Sequence, residues 1–379
     1  MTVLFNIYAT VGIIYTLFIL FCWIGWRRIP LQRSFAYNPS VSVSIIIPAR
    51  NEEQNILNCL EDLAEQHYPA AMFEVIVVDD HSTDNTLELV NEFIEVNTDK
   101  SFRIIQLKEE KQGRLFKKIA ITKGIQEARG QLIVTTDADC RFSPKWISSI
   151  VQHYEITKAS MISGPVRFDC NNTFFEKVQA LEFMGLIGIG AGSMRNGFYI
   201  MNNGANLAYS KNVFLDIGGF AADKNTASGD DTQLMLKIAS KNAGKIHFLK
   251  SKDAIVYTSA KNSYSELMHQ RKRWASKIPV HSSPATLLIA FTAYLLHAGI
   301  LVSAVWMIIN AQFSWLLTLP FLLKCIAELI FLLDITQFFG RQKLLFLFLP
   351  AQIIYPFYIV FIGTIAPFGT YMWKERKVK

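Results

Sequence analysis

Residues Thr135 to Cys140 read T-T-D-A-D-C and follow the apolar run Gln131 to Val134. A buried strand ending in carboxylates at positions i and i+2 presents both on one face, a hard-oxygen site for a divalent cation and the phosphates it carries. Asp also favours turns for local reasons, so a single D-x-D fits an Asp-rich turn as well. Two further apolar runs end in similar chemistry. After Ser42 to Pro48 comes P-A-R-N-E-E (Pro48 to Glu53), and after Glu74 to Asp79 comes D-D-H-S-T-D (Asp79 to Asp84). Asp80 has the chemistry to accept from the imide N–H of a uracil-like base, and Asp137 and Asp139 to hold ribose and a metal. A helix N-cap at Ser82 or Asp84 accounts for part of the second element but leaves Asp79 and Asp80 unexplained.

These segments must be positioned by regular elements. From Ser42 the chain alternates strand-like and helix-like stretches: strands at Ser42 to Pro48, Glu74 to Asp79, Arg103 to Leu107 and Gln131 to Thr136, with helices at Gln54 to Gln66, Asp84 to Ile94 and Lys117 to Ala128. Ile/Val runs without alternation predict strands covered on both faces, hence an α/β fold with a parallel, doubly wound sheet. Such sheets bind ligands at the carboxyl ends of their strands. The first strand is followed by P-A-R-N-E-E and not by G-x-G-x-x-G, which argues against a dinucleotide cofactor.

The chain has 379 residues and is 51% hydrophobic, which predicts a soluble domain combined with membrane segments. Val3 to Trp26 is uncharged and long enough to cross a bilayer, and Arg27, Arg28 and Arg33 follow it. It reads as a retained anchor with the following residues in the cytoplasm. Apolar segments return at Ala285 to Ile309, Phe313 to Leu333 and Leu344 to Trp373. The expected organisation is an anchor over 1–27, a soluble domain over 40–282, membrane helices over 283–373 and a basic tail over 374–379. Three C-terminal crossings would place that tail opposite the soluble domain, against the positive-inside tendency. Pro350, Pro356 and Pro367, or the Lys324 and Glu328 pair, mark where a re-entrant or interfacial stretch would alter the count. The five cysteines are scattered without C-x-x-C spacing and read as thiols. Many basic residues behind the net charge of +7 lie beside the membrane segments, where anionic lipid explains them, so no nucleic-acid partner is expected.

With these residues in view, the stretch from Val41 to Ile278 resembles glycosyltransferase family 2, whose catalytic domain has the GT-A fold. The resemblance runs through Ser44 to Glu53, Val75 to Asp84, T-D-A-D at Thr136 to Asp139, N-G-A-N-L-A-Y at Asn203 to Tyr209, G-D-D-T at Gly229 to Thr232 and Q-R-K-R-W at Gln270 to Trp274. It implies that Asp80 recognises the nucleotide base and that Asp139 coordinates a magnesium or manganese ion on the diphosphate, with Asp137 nearby. It also implies a nucleotide-sugar site that includes Pro48, Ala49, Glu52, Asn203, Gly204, Asp230 and Gln270. Lys117 opens a K-x-x-A-I helix where the family has K-x-x-A-L, and is implied to lie near the nucleotide. Asp231 takes the position of the catalytic base, Asp230 standing where the family has Glu, although Asp230 also suits a cap on a helix near Thr232. Arg273 is implied to neutralise the leaving diphosphate, for which its planar fork is suited. Trp274 is implied to wall the acceptor cavity. Arg271 and Lys272 read as the face of a basic helix lying on the membrane.

Between Asn172 and Asn196 an apolar, Gly-rich stretch fits either a buried helix or an interfacial helix that guides a lipid to the site. The resulting expectation is an inverting, metal-dependent, hexosyltransferase-type enzyme that moves a sugar, UDP-linked, to a membrane lipid or growing glycan at the cytoplasmic face of a bacterial inner membrane. A processive polysaccharide synthase is the alternative, for which about four helices make a poor pore. An inactive GT-A membrane scaffold is set against the presence of Asp80, Asp139, Asp231 and Arg273. A transporter would leave the soluble domain unexplained.

Overall fold

The computed structural model describes residues 2–33, 38–107, 116–170, 173–220, 229–242, 245–281, 284–365, 371–373 and 376–378. Pro367 and tail residues 374, 375 and 379 therefore lie outside the described residues.

The apolar runs after Ser42 form a seven-stranded sheet. In spatial order it contains β3 (Phe102–Gln106), β2 (Phe73–Asp79), β1 (Val43–Ala49), β4 (Leu132–Thr135), β7 (Leu207–Ser210), β5 (Met161–Ser163) and β8 (Ile246–Phe248). Every residue of β2 and β4 is buried, as unbroken Ile/Val runs require. The connecting helices are α2 (Ile56–Ala64), α3 (Thr86–Val96), α4 (Phe116–Glu127), α5 (Trp146–Thr157), α7 (Lys211–Asp216) and α8 (Asp230–Asn242). β6 (Val166–Asp169) and β9 (Val256–Ser259) pair in parallel as a separate ribbon.

The register explains how distant motifs meet. Ala49 lies opposite Asp79 in the β1–β2 pair, and Ile46 lies opposite Thr135 in the β1–β4 pair. The residues after Thr135 therefore run alongside Pro48 and Ala49, on the rim where β2 delivers Asp79 and Asp80. The sheet is not wholly parallel, contrary to expectation: β7 is antiparallel to both β4 and β5. The physical consequence is functional geometry. An antiparallel strand brings its amino end to the carboxyl rim of its neighbours, so Asn203 and Gly204, just before β7, arrive beside the other motifs.

Of the two readings of Asn172 to Asn196, the buried helix is the one observed, and the interfacial helix is corrected. This stretch forms α6 (Phe174–Arg195), and most of its residues are buried against β6, β8, α1 (Thr2–Arg28) and α11 (Trp315–Phe338). The glycines make that packing possible. A Cβ at Gly192 would stand 2.0 Å from the Cys22 carbonyl oxygen of α1, and one at Gly25 would stand 2.0 Å from the Gly192 carbonyl oxygen. Trp26, at the end of α1, is 1% exposed and packs edge-on against Phe338, while Lys250 Nζ lies 4.2 Å above its ring. The end of α1 is thus continuous with the core around the sheet.

Four helices among the described residues are long and apolar enough to cross a membrane: Phe5–Arg28, Pro284–Ile309, Trp315–Phe338 and Gln342–Ile365. The second is α10, which follows α9 (Tyr264–His281); the last comprises a 3₁₀ turn (Gln342–Leu347) and α12 (Phe348–Ile365). Lys324 is fully buried on α11, paired with Glu328 at 2.9 Å and with Gln352 of α12. Tyr15 of α1 donates to the same Glu328 at 2.6 Å. After α12, β10 (Tyr371–Trp373) and β11 (Arg376–Val378) form a short hairpin, and β10 lies against α9.

Replacing Gly192 with Val forces two backbones apart and should lower stability by about 1–3 kcal/mol. Denaturation of the detergent-solubilised chain measures it; wild-type stability would mean that the α1–α6 crossing yields without cost.

Candidate active site

The rim is built by two turns in unusual backbone conformations. Asn51 (φ 50°) follows β1 and His81 (φ 58°) follows β2, both left-handed, a region that Asn and His enter more readily than most residues. The turns hold each other. Asn51 N donates to Ser82 Oγ at 3.1 Å, Thr83 N donates to Asn51 Oδ1 at 2.9 Å, and Arg50 Nη1 donates to the carbonyls of Asp80 and His81 at 2.7 and 3.0 Å. Asp80 is buried there, its Oδ1 3.1 Å from His81 Nδ1. Neither Ser82 nor Asp84 is the N-cap of α3, which is Asn85, but Asp84 accepts from Thr86 N, the first amide of the helix, at 3.1 Å. Glu52 is buried and its backbone N–H bonds to Thr86 Oγ1.

The D-x-D pair does not stand on a strand face. β4 stops at Thr135, and Asp137 to Cys140 form a turn closed by Cys140 N donating to Asp137 O at 3.2 Å. The carboxylates consequently turn to different elements. Asp137 pairs with Lys117 of α4 at 2.5 Å, whereas Asp139 accepts from Thr258 of β9 at 3.3 Å.

The loop before β7 and the start of α8 complete the group. Asp231 Oδ2 accepts from Gly204 N at 3.2 Å and its Oδ1 from Thr232 N at 2.7 Å, so Asp231, and not Asp230, meets the Thr232 amide. Asn203 Oδ1 accepts from Ala205 N, and Thr136 donates to the Ala205 carbonyl, which fixes the loop against the D-x-D turn. Burial alone would push the Lys117 ammonium down. The carboxylates of Asp137, Asp230 and Asp231 outweigh it and hold that ammonium well above the usual lysine value.

Arg50, Glu52, Asp80, Lys117, Asp137, Asp139, Asn203, Asp230, Asp231 and Thr258 border one cleft of about 1240 Å³, together with Pro48, Ala49, Gln270, Arg273 and Trp274. The cleft has two characters. Its rim carries the carboxylates and Arg273; its other limb passes Phe18 and Leu186 to reach Ala290, His297, Tyr355 and Ile362 between α1, α6, α10 and α12. A hard-oxygen donor such as Asp139, with Asp137 beside it, fits a divalent cation. Among the described residues no three His, Cys, Asp or Glu side chains converge, so such an ion would draw its remaining ligands from a diphosphate and water.

Trp274 is half-buried, stacked on Phe183 of α6 with ring centres 5.9 Å apart, and forms an apolar wall. Arg271 differs from its expected place on a membrane-facing surface. It is 3% exposed, bonds Glu182 of α6 at 2.5 Å and lies 4.3 Å over Trp274, while Tyr355 of α12 donates to the other oxygen of Glu182 at 3.2 Å. A charged helix carries no local mark of which cation will find a carboxylate on a neighbouring helix, so sequence reading missed this pair. It also missed Arg50 and Thr258, whose partners come from other strands. Asn206, the second Asn of N-G-A-N, is structural: it is 1% exposed, donates to the carbonyls of Pro165 and Ala254 and accepts from Trp146.

Comparison with known proteins gives a consistent result. The model of glycosyl transferase family 2 matches residues 44–219, and that of glycosyl transferase family group 2 matches residues 132–361. A glycosyltransferase, AglE, of Haloferax volcanii is 33% identical over 130 residues, covering 34% of this chain and 41% of the relative. A probable glycosyltransferase, YdaM, of Bacillus subtilis is 28% identical over 237 residues, covering 62% and 54%. The chain thus spans about half the length of these relatives. Among solved structures, the mannosyltransferase PcManGT from Pyrobaculum calidifontis, in complex with GDP-Man and Mn2+, superposes with a TM-score of 0.57 at 19% identity, covering 93% of this chain and 98% of that one. At that identity the likeness is one of fold.

Replacing Glu182 with Ala leaves Arg271, 3% exposed, without its counter-ion and should cost roughly 3–5 kcal/mol of stability, more than Glu182→Gln, which keeps an acceptor. Parallel denaturation curves test the order; equal, negligible losses would show that the pair is incidental.

Proposed function

Starting from a chain that belongs to glycosyl transferase family 2 and carries the GT-A fold with apolar helices at both ends, we propose that it transfers a sugar from a nucleotide sugar to a lipid of the membrane. One observation carries the choice of acceptor: the cleft that holds the carboxylates continues without interruption into an apolar limb between α1, α6, α10 and α12. A growing hydrophilic glycan gains nothing from such walls, whereas a hydrocarbon chain does.

In this reading Asp80 accepts from the base of a nucleotide, UDP by the imide chemistry, within a pocket that includes Pro48, Ala49 and Glu52. Asp139, helped by Asp137, would hold magnesium or manganese, whose charge offsets that of the diphosphate. Lys117 stands among Asp137, Asp230 and Asp231 and keeps these carboxylates from repelling one another and the donor. Asp231, oriented by the backbone N–H groups of Gly204 and Thr232, takes the proton of the acceptor hydroxyl as the C–O bond forms. A single displacement by one activated hydroxyl inverts the anomeric carbon. Arg273 places a fork of donors where the leaving diphosphate gathers charge, with Gln270 beside it. Trp274 and Phe183 wall the entrance for the acceptor.

The packing supports one membrane arrangement. α11 runs parallel to α1, since Gly12 meets Pro320 and Trp26 meets Phe338, and α10 runs opposite, since Tyr8 meets Gly299 and Tyr15 meets His297. α12 meets α10 and α11 near their middles, through Tyr294, His297 and Lys324, and the chain then returns to α9. Three crossings and a re-entrant α12 leave the basic C-terminus on the side of the catalytic domain, the cytoplasm, in accord with the positive-inside tendency.

The decisive experiment incubates purified protein and membrane lipids with radiolabelled nucleotide sugars and magnesium or manganese. Label should enter a small, solvent-extractable lipid; label in a large polymer would overturn the reading. Asp231→Asn should lower turnover roughly 10²- to 10⁴-fold while donor binding persists. Turnover within a few-fold of wild type would remove Asp231 from the role of base. An epitope tag after Lys379 should resist protease in intact cells and be cleaved in inverted vesicles. The opposite pattern would show that α12 crosses fully.

A further inference from the structure

The apolar limb holds one polar side chain that neither the fold nor the proposed chemistry uses. His297 lies well inside α10, is 1% exposed and borders the cleft. Its Nδ1 is 2.6 Å from the Ala293 carbonyl oxygen, four residues earlier on the helix. A carbonyl only accepts, so Nδ1 carries the hydrogen and Nε2 of the neutral ring is an acceptor. The ring is held edge-on by Tyr15 and Tyr355, at 6.1 and 5.7 Å between centres. Both phenols are committed elsewhere, Tyr15 to Glu328 and Tyr355 to Glu182. The nearby Lys324 is committed to Glu328 and Gln352. Nε2 is buried and has no hydrogen-bond partner among the described residues. A buried acceptor left unmet is disfavoured, and apolar walls supply nothing to meet it.

We propose that this limb is a subsite for a lipid bearing a second hydrogen-bond donor, a hydroxyl or amide N–H set back from the reacting hydroxyl, and that His297 Nε2 accepts from it. The inference rests on the lipid-acceptor reading above and narrows it. An N-acyl amino alcohol or a hydroxylated acyl lipid satisfies His297; a diacylglycerol or a plain polyprenyl chain does not.

The test is competition binding on the detergent-solubilised full chain, with a fluorescent long-chain alcohol as reporter, run beside the transfer assay. The wild type should bind an N-acyl amino alcohol about tenfold more tightly than a diacylglycerol of equal chain length, the effect of one hydrogen bond. His297→Leu should abolish that preference, and His297→Gln, whose side-chain carbonyl still accepts, should restore part of it. A wild type without preference, or a Leu variant that keeps it, overturns the subsite. Preference in binding without transfer to any lipid supports the subsite and refutes the transferase reading. Transfer to lipid with equal affinities does the reverse.

Discussion

The close approach of α6 to α1 is the constraint on which the junction between the sheet and the apolar helices chiefly rests. Backbone meets backbone where Gly192 faces Cys22 and Gly25, and any side chain there would push the helices apart. The approach places α6 between the sheet and the long apolar helices, with Glu182 turned towards α9 and α12. Through Glu182, α6 fixes Arg271, and through Arg271 the short segment that carries Gln270, Arg273 and Trp274. The carboxylate rim and the apolar limb are therefore parts of one packed unit, which permits a single cleft to run through both.

The rim itself is an electrostatic compromise. Strand register brings several carboxylates together, an arrangement opposed by Coulomb repulsion wherever water is excluded. Lys117 relieves it from within, and backbone N–H groups at Gly204 and Thr232 relieve it at Asp231. Among the described residues, Asp139 is met by Thr258 at 3.3 Å and by the Cys140 thiol at 3.7 Å, and has no cationic partner such as Asp137 has in Lys117. The same solution recurs among the apolar helices, where Lys324 and Glu328 neutralise each other and recruit Gln352 and Tyr15 to meet their remaining hydrogen-bonding capacity. That cluster ties α12 to α11 and α1 at mid-helix.

What the sequence determined by itself is local. Ile/Val runs marked β1, β2 and β4 because strands buried on both faces have few alternatives, and the long apolar runs marked α1, α10 and α11 by length alone. Motif order named the residues that gather on the rim, since strand ends in such a sheet share one edge whatever connects them. Tertiary structure decided the rest, because it concerns pairs of groups far apart in the chain. The hand-over of Asp137 to Lys117, the choice of Arg271 over its neighbours as the partner of Glu182, and the burial of α6 each arise from surfaces that meet only after folding. The antiparallel direction of β7 is likewise set by the strands it meets, and the apolar sequence of α12 gives no sign of its contacts with the middles of α10 and α11. Hydrophobicity states how much of a segment must leave water; only the packed neighbours state what it leaves water for.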